Sequence, residues 1–366
     1  MSSLPVGLQD IIRKAALRAR GHSLSRIRKK SLAEPAAKWV SQSRIGCDVG
    51  HALSVVLATQ GCSHARGDSG GCTMCSYLLD GASKTVSNED LVLQFQNAMA
   101  SLEGLGSPIS VKVYTSGSFL DPEEVPLEAR SRILRAIAED ERIRQVVLES
   151  RPEYVTDEAA GLVRQIIDDK EIELGIGLES VDDGVRCLCI NKGFSLSEFE
   201  TALNTAAIHG IGTRAYVLIK PPFLTERDAL LDSTRTIIDA ARMGATTVSV
   251  NPVNVQKHTL VERMWSRGAY RPPWLWTVTE VLRQSRGQVS SAVNIVCDPV
   301  AAGKSRGTHN CGKCDDAFVK SIRQFSLDQS PAHFEGLDCG CRHQWMHTLE
   351  HEDFAHFVHS STTRIP

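Results

Sequence analysis

The segment GCSHARGDSGGCTMCSY, residues 61–77, contains Cys62, Cys72 and Cys75 in the spacing Cys-x9-Cys-x2-Cys. It directly follows a β-rich run at 53–60, which predicts a buried strand. The three cysteines are therefore expected on a loop at the carboxyl end of that strand. No secretory signal precedes them, so the thiols are expected to stay reduced. Clustered reduced cysteines bind a metal more often than they form disulfides.

Strand and helix patterns alternate regularly from this loop toward the C-terminus. Ser87, Thr156, Ser195 and Thr225 occupy helix-capping positions, and further strands are predicted at 109–115, 144–149, 171–178, 213–219, 246–251 and 291–297. Such alternation implies parallel strands joined by right-handed crossovers. Six strand–helix units are too few for a closed eight-fold barrel. We therefore expect an α/β fold, a partial (β/α)6 barrel with its active site at the carboxyl ends of the strands.

The chain divides into three predicted parts. Residues 1–45 form a basic helical segment, 46–300 the barrel core and 301–366 a Cys/His-rich extension, because the strand–helix pattern stops near Val300. The composition, 42% hydrophobic and 23% charged, is that of an ordinary globular protein. Its longest apolar run is too short to cross a membrane, so we expect a cytoplasmic protein with no membrane partner.

Basic residues are concentrated near the N-terminus. Between positions 11 and 30 no residue is acidic, and eight are basic: Arg13, Lys14, Arg18, Arg20, Arg26, Arg28, Lys29 and Lys30. Such a block is typical of a protein that binds a polyanion. A solvated N-terminal helix explains it equally well.

The two groups of cysteines indicate two metal sites. Three thiolates can hold a [4Fe–4S] cluster and leave one iron open to chelate S-adenosylmethionine (SAM) and cleave its sulfonium. A closed zinc site with His64 as fourth ligand is the alternative, although no small fold beside the loop needs a structural metal. Near the C-terminus, two close cysteine pairs suit tetrahedral zinc, with a second iron–sulfur cluster as the rival. These four are Cys311, Cys314, Cys339 and Cys341.

Three further motifs stand at the carboxyl ends of successive predicted strands: YTSGSFLD at 114–121, ESRPEY at 149–154 and GIGLES at 175–180. Together with the cysteine loop they resemble the radical SAM core of the Elongator catalytic subunit family, over roughly residues 52–300. The nine-residue cysteine spacer, SGSFLD, ESRPEY and the C-terminal cysteines also resemble the archaeosine synthase radical SAM family, called RaSEA.

This resemblance implies the residues that hold the cofactors. Cys62, Cys72 and Cys75 would bind the catalytic cluster, and the implied SAM-binding residues are Ser116, Gly117, Ser118, Glu149, Arg151, Glu179 and Lys220. Lys220 is expected to reach the barrel mouth and hold a carboxylate of SAM or substrate, unless it is a rim lysine in water. Arg151 competes for that role with a better bidentate geometry. Glu149 would accept hydrogen bonds from SAM, or else pair with Arg151.

A substrate and a partner are implied as well. RaSEA proteins act with a lysine transferase that attaches lysine to 7-cyano-7-deazaguanine in tRNA. The radical enzyme then cleaves the lysine carbon–nitrogen bond and leaves the formamidine of archaeosine. We therefore expect a radical SAM lyase with tRNA and a lysine transferase as partners. Another Elongator-like tRNA modifier, a small-metabolite radical SAM enzyme and a zinc-stabilised RNA-binding protein are the alternatives.

Overall fold

The computed structural model describes residues 6–21, 31–82 and 84–353. Eight strands form one sheet in the order β1 to β8, in which β1 pairs antiparallel with β2 and all other neighbours are parallel. Among the described residues no ladder joins β8 to β1, so the sheet curls into an open half-barrel. The α/β partial barrel predicted from the sequence is confirmed. The strands are β1 (Ala37–Ile45), β2 (Asp48–Val56), β3 (Ile109–Tyr114), β4 (Ile143–Ser150), β5 (Glu171–Glu179), β6 (Gly212–Ile219), β7 (Thr247–Pro252) and β8 (Asn294–Cys297).

The described part of the chain contains eleven α-helices. They are α1 (Val6–Arg20), α2 (Ser63–Arg66), α3 (Asn88–Met99), α4 (Leu127–Glu139), α5 (Asp157–Ile166), α6 (Leu196–Ile208), α7 (Glu226–Met243), α8 (Leu260–Trp265), α9 (Leu275–Arg286), α10 (Asp315–Asp328) and α11 (Arg342–His351). The crossovers from β2 to β8 run through α3 to α7 and then α8 and α9. Ser87, Thr156, Ser195 and Thr225 cap α3, α5, α6 and α7 as predicted, since each side chain accepts a backbone N–H of the first turn.

The start of the sheet differs from the sequence prediction. The first parallel strand ends at Val56 rather than at residue 60, and a hairpin partner precedes it. Most of this partner, β1, is exposed, so its sequence lacks the apolar pattern of a buried strand. Residues 57–60 instead lead into the cysteine loop, where Gln94 Oε1 accepts the Ala58 N–H at 2.7 Å.

The two faces of the sheet have opposite character. On β3, Ile109, Val111 and Val113 are completely buried in the hydrophobic core under the crossover helices. The alternating residues Lys112 and Tyr114 line the inside of the half-barrel. The barrel interior is therefore a cavity with polar side chains in its wall rather than a packed core.

Helix α10 lies across the gap between the two sheet edges. Its Phe318 and Phe325 are fully buried within the hydrophobic cluster of the barrel. Arg44 on β1 donates to the Asn294 side chain on β8 and to the Leu327 carbonyl on α10. The segment after residue 300 thus shares the core of the barrel. Across the described ranges, the structure contains no helix with the length and apolarity that a membrane crossing requires.

Candidate active site

A cavity of about 790 Å³ occupies the inside of the half-barrel, and Cys62, Cys72 and Cys75 all line it. Five of the predicted SAM-binding residues line the same cavity: Ser116, Gly117, Glu149, Arg151 and Glu179. These residues come from loops or strand ends at the carboxyl edge of β2, β3, β4 and β5. The structure thus brings together motifs that are more than a hundred residues apart in the sequence.

The loop that carries Cys72 and Cys75 is anchored to two other strand–helix connections. The Thr73 N–H donates to the Ile190 carbonyl at 2.9 Å. The N–H of the residue after Cys75 donates to Gln256 Oε1 at 2.6 Å. Burial raises the pKa of Cys75 to about 12, with the neighbouring cysteines adding to the effect. A protein without a bound cation therefore holds this side chain as a thiol.

The nine-residue spacer of the cysteine loop lies against helix α1. Arg20 donates to the Ala65 carbonyl at 2.7 Å, and Arg13 donates to the Asp68 carbonyl at 3.0 Å. The α-carbon of Gly70 approaches Leu17 so closely that a Cβ would lie 2.8 Å from Leu17 Cγ. The long spacer is therefore the surface on which the N-terminal helix packs.

This packing changes the interpretation of the basic N-terminal block. Arg20 is only 8% exposed, and Arg13 and Lys14 pair with Asp10 at 2.6 and 2.5 Å. Arg20 thus belongs neither to a solvated helix face nor to a free cationic arm, because its charge is used to hold the cysteine loop. Arg18 is exposed. The rest of the block, Arg26, Arg28, Lys29 and Lys30, lies outside the described residues.

A zinc site formed by His64 and the three cysteines does not match the geometry. His64 Nε2 lies 2.8 Å from the Asn191 carbonyl, and burial lowers the pKa of the ring to about 4. Sulfurs on one tetrahedral zinc stand roughly 3.8 Å apart, given zinc–sulfur bonds of about 2.3 Å. Within the described ranges, only the C-terminal cysteines bring three or more possible ligand atoms within 4.8 Å of one another. A wider separation suits a cluster, in which each thiolate binds a different iron.

The turn after β3 packs directly on the cysteine loop. A Cβ on Gly117 would lie 2.5 Å from Cys62 Cα and would overlap Glu124 Oε1. Glu124 accepts the Ser118 N–H at 3.0 Å and the Thr59 hydroxyl at 2.9 Å, and burial raises its pKa to about 7. A glycine is needed at position 117 because the turn approaches the cysteine loop closely. Glu124 connects this turn to the start of the cysteine loop through its hydrogen bonds. No motif in the sequence pointed to Glu124.

Glu149 and Arg151 both line the cavity but do not pair with each other. Burial raises the pKa of Glu149 to about 8, so this carboxyl group carries a proton near neutral pH. Arg151 Nε instead donates to Glu153 Oε1 at 2.5 Å, and one of its terminal nitrogens donates to the Lys192 carbonyl at 3.3 Å. The ion pair considered for these two residues is therefore absent from the described contacts.

Lys192 is a cavity residue that sequence reasoning missed. Its Nζ lies 2.7 Å from Glu179 Oε1. Burial opposes the charged ammonium, but the Glu179 carboxylate outweighs it and raises the pKa of Lys192. Both side chains line the cavity together with Phe194. Lys192 follows a π-helical turn, Val185–Ile190, and belongs to no recognisable motif, so no sequence signal could have identified it.

Two of the predicted SAM-binding residues lie elsewhere. Ser118 is completely buried, with its hydroxyl 2.9 Å from the Ser150 hydroxyl, and does not line the cavity. Lys220 is 1% exposed, and its Nζ lies 2.7 Å from Glu226 Oε2 and 3.0 Å from Glu352 Oε1. The prediction that Lys220 reaches the barrel mouth is wrong, because carboxylates from α7 and the C-terminal segment surround its ammonium.

The four C-terminal cysteines form a second centre. Their sulfurs all lie within 4.8 Å of one another, so they could hold a metal ion. Three of the sulfur–sulfur distances are 3.6, 3.8 and 3.9 Å. These values match the separation of roughly 3.8 Å around one tetrahedral ion with bonds of about 2.3 Å.

Burial raises the pKa of Cys314, and it raises the pKa of Cys341 to about 12. Thiolates at these two positions therefore require a bound cation, and the surrounding groups favour them in that state. Cys314 and Cys341 immediately precede α10 and α11, where the helix dipole favours negative charge. Asn310 Nδ2 donates to Cys314 Sγ and Trp276 Nε1 donates to Cys341 Sγ, both at 3.4 Å. Trp276 also stacks on Trp345, with ring centroids 5.9 Å apart. The centre thereby joins α9, α10 and α11.

Comparison with known proteins identifies the family. No protein-family model matches the chain. It is 43% identical to archaeosine synthase subunit beta of Methanosarcina acetivorans over 323 residues, which are 88% of this chain and 92% of that protein. It is also 37% identical to archaeosine synthase subunit beta of Thermococcus kodakarensis over 313 residues, 85% of this chain and 96% of that protein. The chain belongs to the archaeosine synthase subunit beta family.

A solved structure agrees with the fold seen in this member of the archaeosine synthase subunit beta family. The archaeal Elp3 of Methanocaldococcus infernus, with residues 1–46 deleted, matches 68% of this chain and 60% of its own with a TM-score of 0.51. The sequence identity is 16%, so this likeness concerns the fold alone. The family resemblance drawn from the cysteine loop and the strand-end motifs is confirmed.

Proposed function

We propose that this chain is the radical SAM subunit of an archaeosine synthase. It would convert a lysine adduct of 7-cyano-7-deazaguanine in tRNA to archaeosine by cleaving a carbon–nitrogen bond of the lysine, as a lyase. The observation that carries the proposal is that Cys62, Cys72 and Cys75 line one barrel cavity in a chain 43% identical to a protein named archaeosine synthase subunit beta.

The three cysteines are proposed to bind a [4Fe–4S] cluster and leave one iron for SAM. When bound, this cluster supplies the electron that splits SAM and starts radical chemistry. Helix α1 packs against the outside of the loop through Arg13 and Arg20. The chain's own contribution is a loop anchored at the cavity wall by these contacts.

The residues around the cysteines are proposed to bind SAM. Gly117, without a Cβ, lets the turn after β3 pack against Cys62, and the same residue lines the cavity. Glu149, protonated near neutral pH, offers a donor and an acceptor to ribose hydroxyls or to the methionine amine. Arg151 offers a guanidinium for a carboxylate. The Glu179–Lys192 pair presents a fixed acceptor and donor to the same space.

We propose zinc as the metal of the four-cysteine centre. Sulfurs 3.6–3.9 Å apart suit one tetrahedral ion, whereas the ligands of an iron–sulfur cluster bind separate irons and stand farther apart. The role is structural, because the centre holds α10 and α11 against α9. It thereby stabilises the helix that lies across the open edge of the half-barrel.

The proposed partners are tRNA and a lysine transferase, and the proposed location is the cytoplasm. The name of the relatives, subunit beta, supports a second subunit in the assembly. The transferase would supply the lysine adduct on which this chain acts.

The test uses protein reconstituted anaerobically with iron and sulfide. SAM, a reductant and tRNA carrying the lysine adduct are added, and the digested tRNA is analysed by mass. Archaeosine that forms only with SAM supports the proposal. Deoxyadenosine without archaeosine would point to another Elongator-like tRNA modifier or to a small-metabolite enzyme. Absence of both products and of bound iron would refute the radical SAM assignment.

A pair of variants tests the cluster ligands separately. Cys72→Ser should lose iron and SAM cleavage while it keeps one zinc per chain. Cys187→Ser is the matched control, since Cys187 is half-buried nearby and does not line the cavity. Turnover retained in Cys72→Ser would contradict the assignment of the three thiolates.

A further inference from the structure

The inner wall of the half-barrel contains a cation without a carboxylate partner. Lys112 points inward from β3 and lines the cavity, and its Nζ donates to the Ser43 hydroxyl at 3.2 Å. Within the described ranges, no carboxylate oxygen lies within 4.0 Å of this ammonium. Three other cations of the cavity each pair with a glutamate: Arg151 with Glu153, Lys192 with Glu179 and Arg214 with Glu173. Arg44 is held by the Asn294 side chain and the Leu327 carbonyl.

The acidic groups that act on Lys112 are already paired with other cations. Glu173 lies 2.7 Å from Arg214 and also accepts two threonine hydroxyls. Asp298 lies 3.7 Å from Arg323. Arg214 repels the Lys112 ammonium in turn. The charge of Lys112 is therefore left facing the cavity.

A buried ammonium group without an anionic partner destabilises the folded protein unless a bound ligand provides the opposite charge. Burial, assisted by Arg214, lowers the pKa of Lys112 to about 7. A second polar group in the same wall is incompletely satisfied: among the described residues, the buried Tyr216 hydroxyl has no partner with good hydrogen-bond geometry, and the Tyr114 side chain is its polar neighbour. A cation without a carboxylate partner, beside an incompletely satisfied hydroxyl, indicates a polar ligand with an anionic group.

The depth of Lys112 separates this ligand from SAM. Lys112 precedes Tyr114, the last residue of β3, by two positions, which is about 7 Å along the strand. The turn at Gly117, which contacts the cysteine loop, lies beyond that strand end. The carboxylate of SAM would be held at the loop by the open iron. The anion at Lys112 therefore belongs to a molecule that extends from the cysteine end deeper into the barrel.

We propose that Lys112 binds the α-carboxylate of the lysyl group of the substrate and so selects for the amino-acid end of the adduct. This inference rests on the proposed function, which requires a lysine adduct as substrate. In that adduct, four methylenes separate the nitrogen of the bond to be cleaved from the carbon that carries the carboxylate. Lys112 acts as a specificity residue and takes no part in bond cleavage.

The test compares two ligands that differ only in the carboxylate, Nε-acetyl-L-lysine and N-acetylcadaverine. Their affinities for the full-length reconstituted protein with SAM are measured by calorimetry. We expect wild-type protein to prefer Nε-acetyl-L-lysine by about 10- to 100-fold, the range for one charge-assisted hydrogen bond. Lys112→Met should remove this preference. Lys38→Met is the matched control, because Lys38 lies exposed on β1 and donates to the Asn97 carbonyl outside the cavity.

The outcomes separate this inference from the proposed function. A wild-type protein without carboxylate preference, or a Lys112→Met variant that keeps it, overturns the role of Lys112. If SAM affinity falls in Lys112→Met to the same extent, the carboxylate recognised is that of SAM and the substrate assignment is overturned. A carboxylate preference that depends on Lys112 supports the subsite even if tRNA carrying the lysine adduct yields no archaeosine, a result that would instead refute the proposed function.

Discussion

Replacement of Gly117 by alanine should disturb the cysteine loop more than its small size suggests. The added Cβ would lie 2.5 Å from Cys62 Cα and 2.9 Å from Cys62 Cβ, and it would overlap Glu124 Oε1. Real Cβ atoms essentially never come within 3.0 Å of such neighbours. Because two of these atoms belong to a proposed cluster ligand, relief of the overlap has to move either Cys62 or the turn itself.

The expected magnitude follows from the cost of overpacking. One extra methyl group in a closely packed site destabilises a protein by about 1–3 kcal/mol. At about 2.1 cal/mol/K per residue, a chain of 366 residues loses roughly 1.3 °C of Tm per kcal/mol, so Gly117→Ala should lower Tm by about 1–4 °C. Iron bound per chain after reconstitution should fall as well, since Cys62 is displaced.

Thermal unfolding and iron content are measured beside Gly106→Ala. A Cβ on Gly106 would meet nothing within 4 Å, so this control should keep both wild-type values. If Gly117→Ala binds as much iron as Gly106→Ala and unfolds at the same temperature, the turn does not constrain the cysteine loop, and our account of the site is wrong.

Two further predictions concern the segments that flank the barrel. Cys311→Ser should lose the zinc that we propose for the C-terminal centre and lower Tm by on the order of 10 °C, with iron binding retained. Metal analysis and calorimetry test this, and a variant that keeps its zinc would exclude Cys311 as a ligand. Arg20→Ala leaves the Ala65 carbonyl without its donor, at a cost of about 1.5–3 kcal/mol, and should speed iron release to a chelator. The exposed Arg18→Ala is its control, and equal release rates in the two variants would show that α1 does not hold the loop.

Local features of the sequence predict much of the barrel. Helix caps such as Ser87 and Thr225 were identified correctly because a cap is a contact between residues three apart, and both partners are visible in the sequence. The parallel strands were found because burial on one face and a crossover helix give each unit a strong apolar pattern. Strand β1 was missed because an exposed edge strand has no such pattern.

The cysteine spacings alone located both candidate metal centres, since ligands close together in sequence need only a short loop to converge. The strand-end motifs placed Gly117, Glu149, Arg151 and Glu179 at one edge, because parallel strands end on the same side of a sheet. The sequence could not determine in which direction each long side chain points or which groups it contacts. Lys220 also follows a strand end, yet its ammonium pairs with Glu226 on α7 and with Glu352, which is 132 residues away.

Tertiary structure therefore determines which charged side chains of the site are paired and which are not. Whether a cation faces the cavity or is neutralised depends on neighbours from distant elements, and a sequence does not show their distances. Lys192 lies in the cavity wall, where it pairs with Glu179. Lys112 has no carboxylate partner, because Glu173 pairs with Arg214. Arg20 is not part of an exposed basic patch, because α1 packs on the spacer of the cysteine loop. Backbone pattern and ligand spacing are local properties, whereas electrostatic pairing is a property of the folded chain.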